Sequence, residues 1–323
     1  MEMGNTAARH RQRDPLPAHS VRLAGVLLVL LSLLLPAVAR GATADVTLSA
    51  RAFLGGHVRV GAWTAVEVTV TNAGPTIQGE LRLTSQQQGR STYGVEVDLP
   101  TGSNKSYTLY TQPSVFGRQI QVALVEGAQT LATVEIPVTP HNANEQLLVV
   151  VADRPESLIP DLTGANLGPP GRTTTVISVS PADLPPRIEA WSAVDRLVWQ
   201  DRDATELSTE QLRAMRGWLD AGGQLVILGG TTGGATLAGF PDDLLPYRPT
   251  TTVDVPPDDL AGLLGEIPPD AQPLPALSGT LEGGSAMAQS GGQVIAAEMG
   301  HGQGSVTLIG FSPAQPWLEG SAA

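Results

Sequence analysis

Between Asp45 and about Pro140, apolar and polar residues alternate in short runs broken by Gly, Pro and Asn. The runs are AVEVTVTN (Ala65 to Asn72), GELRLTS (Gly79 to Ser85), YGVEVDLP (Tyr93 to Pro100), SYTLYTQ (Ser106 to Gln112), RQIQVALVEG (Arg118 to Gly127) and TLATVEIPV (Thr130 to Val138). A period of two turns one face of each strand to a core and the other to water. With turn residues closing each run after a few positions, the pattern predicts roughly seven antiparallel strands forming a β-sandwich over 45–140.

The pattern changes after PHNANEQ, so 141–146 reads as a linker. LLVVVAD (Leu147 to Asp153) is a continuous apolar run, as a strand buried on both faces of a parallel sheet requires. A short helix is expected near Glu156 to Leu162, then strands at Thr174 to Ser180 and Val194 to Gln200. In LSTEQLRAMRGWLDAGGQLVILGG, Ser208 is placed to N-cap a helix with Gln211 three residues on. Leu212, Met215 and Leu219 share one face, and Gly222 supplies a left-handed stop. Leu225 to Leu228 follows as a buried strand, completing a strand–helix–strand unit. From about Gly233 to Gly292 the chain is rich in Pro, Gly and Asp and reads as an irregular insertion with a few short strands, such as Thr251 to Val255. Two last strands are expected at Val294 to Glu298 and Ser305 to Gly310. The fold expected for 147–313 is therefore an α/β domain with a mainly parallel sheet, with 314–323 as a tail.

The N-terminal 44 residues stand apart. Arg9, Arg11, Arg13 and Arg22 precede LAGVLLVLLSLLLPAVA (Leu23 to Ala39), with small residues at Ala37 and Ala39 or Ala42 and Ala44. A basic stretch, an apolar stretch and small residues at cleavage spacing predict an export signal, cleaved or retained as an N-terminal anchor. Both outcomes place the remainder outside the cytoplasm, secreted or at the outer face of the cell membrane. PWLEGSAA at the other end carries no stop signal, which leaves room for a longer chain with a C-terminal membrane anchor.

Composition narrows the chemistry. The chain contains no Cys, which excludes disulfides, thiolate metal sites and Cys nucleophiles. Its formal charge is −12, and residues 1–44 carry five Arg against Glu2 and Asp14, so the rest is near −15. A surface this acidic repels phosphate backbones, and no nucleic-acid partner is expected. No pair among His10, His19, His57, His141 and His301 has metal-ligand spacing, so neither metal nor cofactor is expected. Trp63, Trp191, Trp199, Trp218 and Trp317 are scattered and read as core or rim residues.

The phrase WTAVEVTVTNAGPTIQGELRL resembles the start of bacterial Ig-like or fibronectin-like modules. VDRLVWQD, STEQLRAMRGWLDAGG, QLVILGG and the closing GHGQGSVTLIGFSP together resemble the class I glutamine amidotransferase-like, flavodoxin-like α/β fold found in bacterial membrane-associated proteins. That resemblance implies a Cys on the turn after Leu225 to Leu228, with a later His and acidic residue. Here the turn is GGTTGG (Gly229 to Gly234), and His301 has no acidic residue two positions on, so the triad does not carry over.

What remains is a strand-end surface. Asp201 and Asp203 follow the strand Val194 to Gln200 at the edge where open α/β sheets bind ligands. Gly230, Thr231 and Thr232 lie in the turn after the next strand, where backbone N–H groups suit an anion. The expected function is that of a non-catalytic exported envelope protein. It binds an envelope or membrane protein, or a small ligand, around Asp201, Asp203, Gly230, Thr231 and Thr232. Two alternatives stay open: a hydrolase using Thr231 or Thr232 with His301, and a purely structural subunit of an envelope or polysaccharide-related assembly. The hydrolase requires a short His–Thr distance; the structural subunit requires no strand-end crevice and an exposed apolar patch on the sandwich.

Overall fold

The computed structural model describes residues 45–84, 92–113, 117–164, 172–229, 233–315 and 317–318. The expected signal or anchor, the end of the tail, and Gly230, Thr231 and Thr232 lie outside the described residues. Among the described residues no helix is long and apolar enough to cross a membrane.

Residues 45–141 form nine strands: β1 (Val46–Ala52), β2 (His57–Arg59), β3 (Thr64–Asn72), β4 (Ile77–Thr84), β5 (Thr92–Leu99), β6 (Ser103–Thr111), β7 (Gln119–Glu126), β8 (Gln129–Pro137) and β9 (Thr139–His141). They make an antiparallel sheet β1-β3-β6, an antiparallel sheet β5-β4-β7-β8 and a short parallel pair, β2-β9. Alternation decides which side chains meet. Val66, Val68 and Val70 of β3 share a core with Leu81 and Leu83 of β4 and with Ile120, Val122 and Leu124 of β7. Glu67, Thr69 and Thr71, the intervening residues of β3, stay outside that core. Each such aliphatic side chain contributes about 1.5–3 kcal/mol when withdrawn from water. Asn72 ends β3 fully buried because its amide is fully used. Nδ2 donates to the carbonyls of Pro75 (2.8 Å) and Leu99 (2.9 Å), and Oδ1 accepts from Gly74 N (3.0 Å). The Thr-Asn-Ala-Gly-Pro phrase is thus a turn stapled by its own Asn.

The second lobe is built on β10 (Glu145–Ala152), β11 (Thr173–Ser178), β12 (Arg196–Gln200), β13 (Gln224–Leu228), β14 (Tyr247–Val255), β15 (Leu274–Leu281), β16 (Ser285–Ser290), β17 (Gln293–His301) and β18 (Gly304–Ile309). Its helices are α1 (Ile159–Gly164), α2 (Thr209–Asp220), α3 (Gly233–Ala238) and α4 (Ala261–Leu264). All nine strands join one sheet in the order β11-β10-β12-β13-β18-β17-β15-β14, with β16 paired to β17. Leu147, Val149 and Val151 of β10 enter one core with Met215, Trp218 and Leu219 of α2, while Leu148 and Val150 face a second core with Leu158. Helix α2 starts where Ser208 Oγ accepts from Gln211 N (3.2 Å) and Gln211 Oε1 accepts from Ser208 N (2.9 Å). It stops at Gly222, φ 111°.

The expected flavodoxin-like α/β domain with a mainly parallel sheet is not what forms. The described residues are mostly β, at 50% strand and 20% helix, and the sheets are mixed and antiparallel. Only β10, β11, β12, β13 and β18 run parallel; β14, β15, β16 and β17 extend the sheet with antiparallel pairs. The 233–292 stretch, expected to be irregular, supplies three of those four strands. Its Pro and Gly were misleading because they sit where a sheet tolerates them. Pro249 lies in the edge strand β14 beside a register shift. Gly279 of β15 passes so near Arg248 O that a Cβ would lie 1.8 Å from it. This antiparallel end closes over its own core of Val255, Leu260, Leu274, Ile295 and Phe311.

The sandwich and the nine-stranded sheet meet through side chains from the β1–β2 connection. Leu54, Gly55 and Gly56 all have positive φ (56°, 61° and 82°), unusual for Leu. This reversal buries Leu54 in the core of the sheet lobe with Val179, Leu184 and Trp191, and sets Phe53 against Ala190 and Tyr110. Arg51 pairs with Asp183, and Arg59 with Asp195. The segment read as a linker is part of this seam: His141 is 5% exposed, and Glu145 already belongs to β10.

Candidate functional site

The carboxyl ends of the parallel strands form the concave part of the sheet. The order of the strands reverses about β10, with β11 on one side and β12 on the other, and a crevice lies at the carboxyl ends of these three parallel strands. The crevice has a volume of about 250 Å³ and is lined by Ala152, Ser178, Ser180, Pro181, Asp183 and Arg202. A second concavity, at the opposite ends of the strands by Leu147, Asp195 and Gln224, holds about 20 Å³, little more than one water. The strand-end crevice therefore has the room for a ligand.

Its floor is set by Arg202, two residues past β12. The guanidinium spans two acids, with Nη1 donating to Asp153 Oδ1 (3.1 Å) and Nη2 to Glu206 Oε2 (2.9 Å). The residue is held from behind by Trp199 Nε1, which donates to the Arg202 carbonyl (2.8 Å). Its hydrogen bonds to Glu206 and then Asp153 hold the guanidinium even more firmly protonated than usual. Its Nε is buried without a protein acceptor. On the opposite wall Ser180 Oγ donates to Asp183 Oδ2 (2.7 Å) and caps the turn Pro181–Asp183. Arg51, from the sandwich, grips the same turn through Asp183 and the Ala182 carbonyl (3.1 Å). The crevice is thus rimmed by hydroxyls and by charges already matched to one another.

Of the residues expected from sequence, Asp201 and Asp203 do lie at this edge. Asp201 turns the chain off β12 with a left-handed backbone, φ 49°, a conformation Asp tolerates better than most residues. Asp203 is a cap: Oδ1 accepts from Thr205 N (2.8 Å), and hydrogen bonding from Thr205 holds its carboxyl below the usual range. Gly229, just past the end of β13, is packed against Gly310, whose backbone a Cβ would meet at 2.3 Å. Helix α3, which begins at Gly233, has only six residues.

His301 lies elsewhere. It pairs with Gly304 at the tip of the β17–β18 hairpin, where β18 begins beside Gln224, while Gly229 follows the far end of β13. Its Nδ1 is 3.1 Å from Asp220 Oδ1, at the end of α2, without making a hydrogen bond. Among the described residues no group of three or more His, Asp or Glu side chains is arranged to hold a metal. The exposed large apolar residues are scattered: Val95 on the sandwich, Ile188, Leu281 and Met287 on the sheet lobe.

Sequence reasoning missed Arg202, Asp153 and Ser178 because they lie on three separate strand ends, with no local motif linking them. It also missed a polar chain at the seam between the lobes. His57 Nδ1 lies 2.8 Å from His141 Nε2, and His141 Nδ1 lies 2.8 Å from Glu145 Oε2. The other oxygen, Glu145 Oε1, accepts from Asn142 N (3.3 Å) and Nδ2 (3.0 Å). Hydrogen bonding from His141 holds the Glu145 carboxyl below its usual range, and burial, then the charge of His141, push His57 down. With the two His 84 positions apart, nothing in their spacing marks the contact.

Comparison with known proteins adds little chemistry. A family model described as a domain of unknown function, DUF8726, matches residues 45–139, the sandwich alone. No curated protein matches the chain. Among solved structures, the CARDB domain of a Pyrococcus furiosus protein, in complex with di-metal ions, is similar at 20% identity and a TM-score of 0.23. That match covers 30% of this chain and 90% of that one. A β-glucosidase from Listeria innocua in complex with glucose is similar at 15% identity and 0.22, over 29% of this chain and 16% of that one. An exo-β-1,4-mannosidase from Opitutaceae bacterium strain TAV5 reaches 12% and 0.31, over 54% of this chain and 32% of that one. The chain thus spans less than a third of either glycosidase's length.

Proposed function

We propose that this is a non-catalytic binding protein of the cell envelope, whose ligand or partner group enters the strand-end crevice beside Arg202. The observation that carries this reading is the crevice itself, an open concavity with hydroxyls and one guanidinium on its walls. Its acids are occupied in capping and ion pairing. Such walls orient a polar ligand; the hydroxyl–carboxylate contact among them, Ser180 to Asp183, caps the turn Pro181–Asp183, and Asp183 is held in addition by Arg51. The basic and apolar N-terminal pattern supports export, and the absence of Cys fits a protein held by its cores alone. The scatter of exposed apolar residues favours a site in the crevice over a purely structural subunit.

The test is a thermal-shift screen of the full chain against sugars, cell-wall fragments, nucleotides and divalent cations. A ligand at about 100 times its dissociation constant stabilises the folded state by about 2.7 kcal/mol. The expected result is an upward shift with one class of polar ligand, lost in Arg202→Met and kept in a variant remote from the crevice, Glu135→Gln. A shift that survives Arg202→Met, or no shift with any probe, overturns the proposal.

A further inference from the structure

We propose that the His57–His141 pair is a pH-sensitive lock on the crossing from the sandwich to the nine-stranded sheet, tying β2 to the end of β9 while the two rings share a proton and releasing it when each carries its own. The pair occupies the one place where the chain passes from lobe to lobe. His57 opens β2 and His141 closes β9, the two strands run parallel, and Val60 N donates to the His141 carbonyl (3.0 Å). Glu145, the first residue of β10, receives the other end of the His141 ring.

Hydrogen-bond arithmetic fixes how many protons this chain accepts. Glu145 is an acceptor on both oxygens, since the Asn142 amides donate to Oε1, so His141 Nδ1 must be the donor to Oε2. The 2.8 Å contact between His57 Nδ1 and His141 Nε2 then holds one proton. Either a neutral His141 accepts from His57, or a cationic His141 donates to a neutral His57. Both arrangements keep the contact. When both rings are cationic, each of the facing nitrogens carries a hydrogen and neither offers a lone pair. The ring centroids lie 5.1 Å apart with the planes 18° from parallel, so the rings meet nearly edge to edge and two positive charges would face each other with Glu145 the carboxylate bonded to the pair.

The surrounding charges do not relieve this. Arg59, on the same strand as His57, pairs with Asp195, which also accepts from Leu147 N (2.7 Å). Farther along the seam Arg51 is matched by Asp183 and Glu67, and Arg187 with Glu189 lies by Tyr110. Among the described residues the carboxylate bonded to the pair is Glu145, while Asp195, Asp183 and Glu67 are engaged by the arginines.

The direction of titration agrees with the geometry. His57 is held below its ordinary value of 6.5, so below pH 6.5 the opened state takes up the second proton before the closed state does. The stability contributed by the closed pair is full above pH 6.5 and falls as the solution is acidified from there toward the depressed value. Glu145 is also held down, and its contribution is lost in the same direction at lower pH.

The experiment is amide hydrogen exchange on the full chain at pH 7.5 and pH 5.0, reading protection factors in β2, β9 and the start of β10 against those in β3 and β13. In the wild type, protection at Val58, Val60 and His141 falls by up to about tenfold for each pH unit between 6.5 and the lowered value, while β3 and β13 are unchanged. In His57→Asn, whose side-chain amide replaces Nδ1 as the donor to His141 Nε2 but cannot titrate, protection at the seam is the same at both pH values. Uniform protection in the wild type, or a pH dependence retained in His57→Asn, overturns the lock. If that variant does not fold, the imidazole carbon shifts of the wild type decide. One ring resisting protonation well below pH 6.5 supports the lock; two independent titrations near 6.5 refute it.

Discussion

Asp195 is the single side chain whose removal most directly tests how the lobes are joined. Its Oδ2 accepts from Arg59 Nη2 and from Leu147 N (2.7 Å), and the two side chains are only 26% and 15% exposed. Asp195→Ala removes a charge-assisted hydrogen bond, about 1.5–3 kcal/mol, and leaves the Leu147 amide without its acceptor, about 1–3 kcal/mol more. Arg59 Nη2 keeps the carbonyls of Ala193 (3.1 Å) and Glu145 (3.3 Å), and the vacated volume is open enough for water. The lower half of the range applies, and the net cost is about 3 kcal/mol. Arg59→Met leaves Asp195 still bonded to Leu147 N and costs about 1.5 kcal/mol. The double variant no longer strands a cation, so it costs about 3 kcal/mol rather than the sum of about 4.5, a coupling near 1.5 kcal/mol. Denaturant unfolding measures this with two probes. Tryptophan fluorescence reports mainly the sheet lobe, where Trp191, Trp199 and Trp218 are buried, and far-ultraviolet circular dichroism reports both lobes. The wild-type transitions coincide, and those of Asp195→Ala separate as the lobes uncouple. A cost below about 1 kcal/mol for Asp195→Ala, or additivity in the double variant, refutes the reasoning.

Two further outcomes are expected. Ser208→Ala breaks the capping box of α2 and costs about 1 kcal/mol, whereas Gln211→Ala costs about 2–3 kcal/mol because it strips the buried carbonyls of Pro181 and Leu184 of a donor at 2.8 Å each; equal shifts in the two denaturation midpoints contradict this. Tyr247, fully buried with its hydroxyl donating toward the Leu277 (3.0 Å) and Ile295 (3.2 Å) carbonyls, has its ionisation pushed up by burial. Its contribution is whole below about pH 10, the ordinary phenol value, and declines above it as the unfolded chain ionises first. An alkaline titration should show one tyrosine of four ionising only on unfolding, and Tyr247→Phe should remove that component.

Local chemistry in the sequence was enough to determine individual elements. Alternating Val66, Val68 and Val70 defined a half-buried strand, Ser208 and Gln211 the start of α2, Gly222 its end, and LLVVVAD a strand covered on both faces, because each rests on neighbours within a few residues. The direction in which strands join a sheet does not. Nothing local to Tyr247–Val255 or Leu274–Leu281 says that they continue the sheet antiparallel, since pairing depends on partners far along the chain, and their Pro and Gly resembled loop signals until an edge position and a close backbone approach explained them. The site divides the same way. That Asp201 and Asp203 end a strand was legible, but Thr205 consumes the Asp203 carboxylate, and Arg202 gains its place only when Asp153 and Glu206 close around it. The seam was hidden altogether. His57 and His141 meet only because β2 and β9 pair, and burial of the His57 ring, which lowers its titration, is a property of the packed lobes and not of its neighbours in sequence.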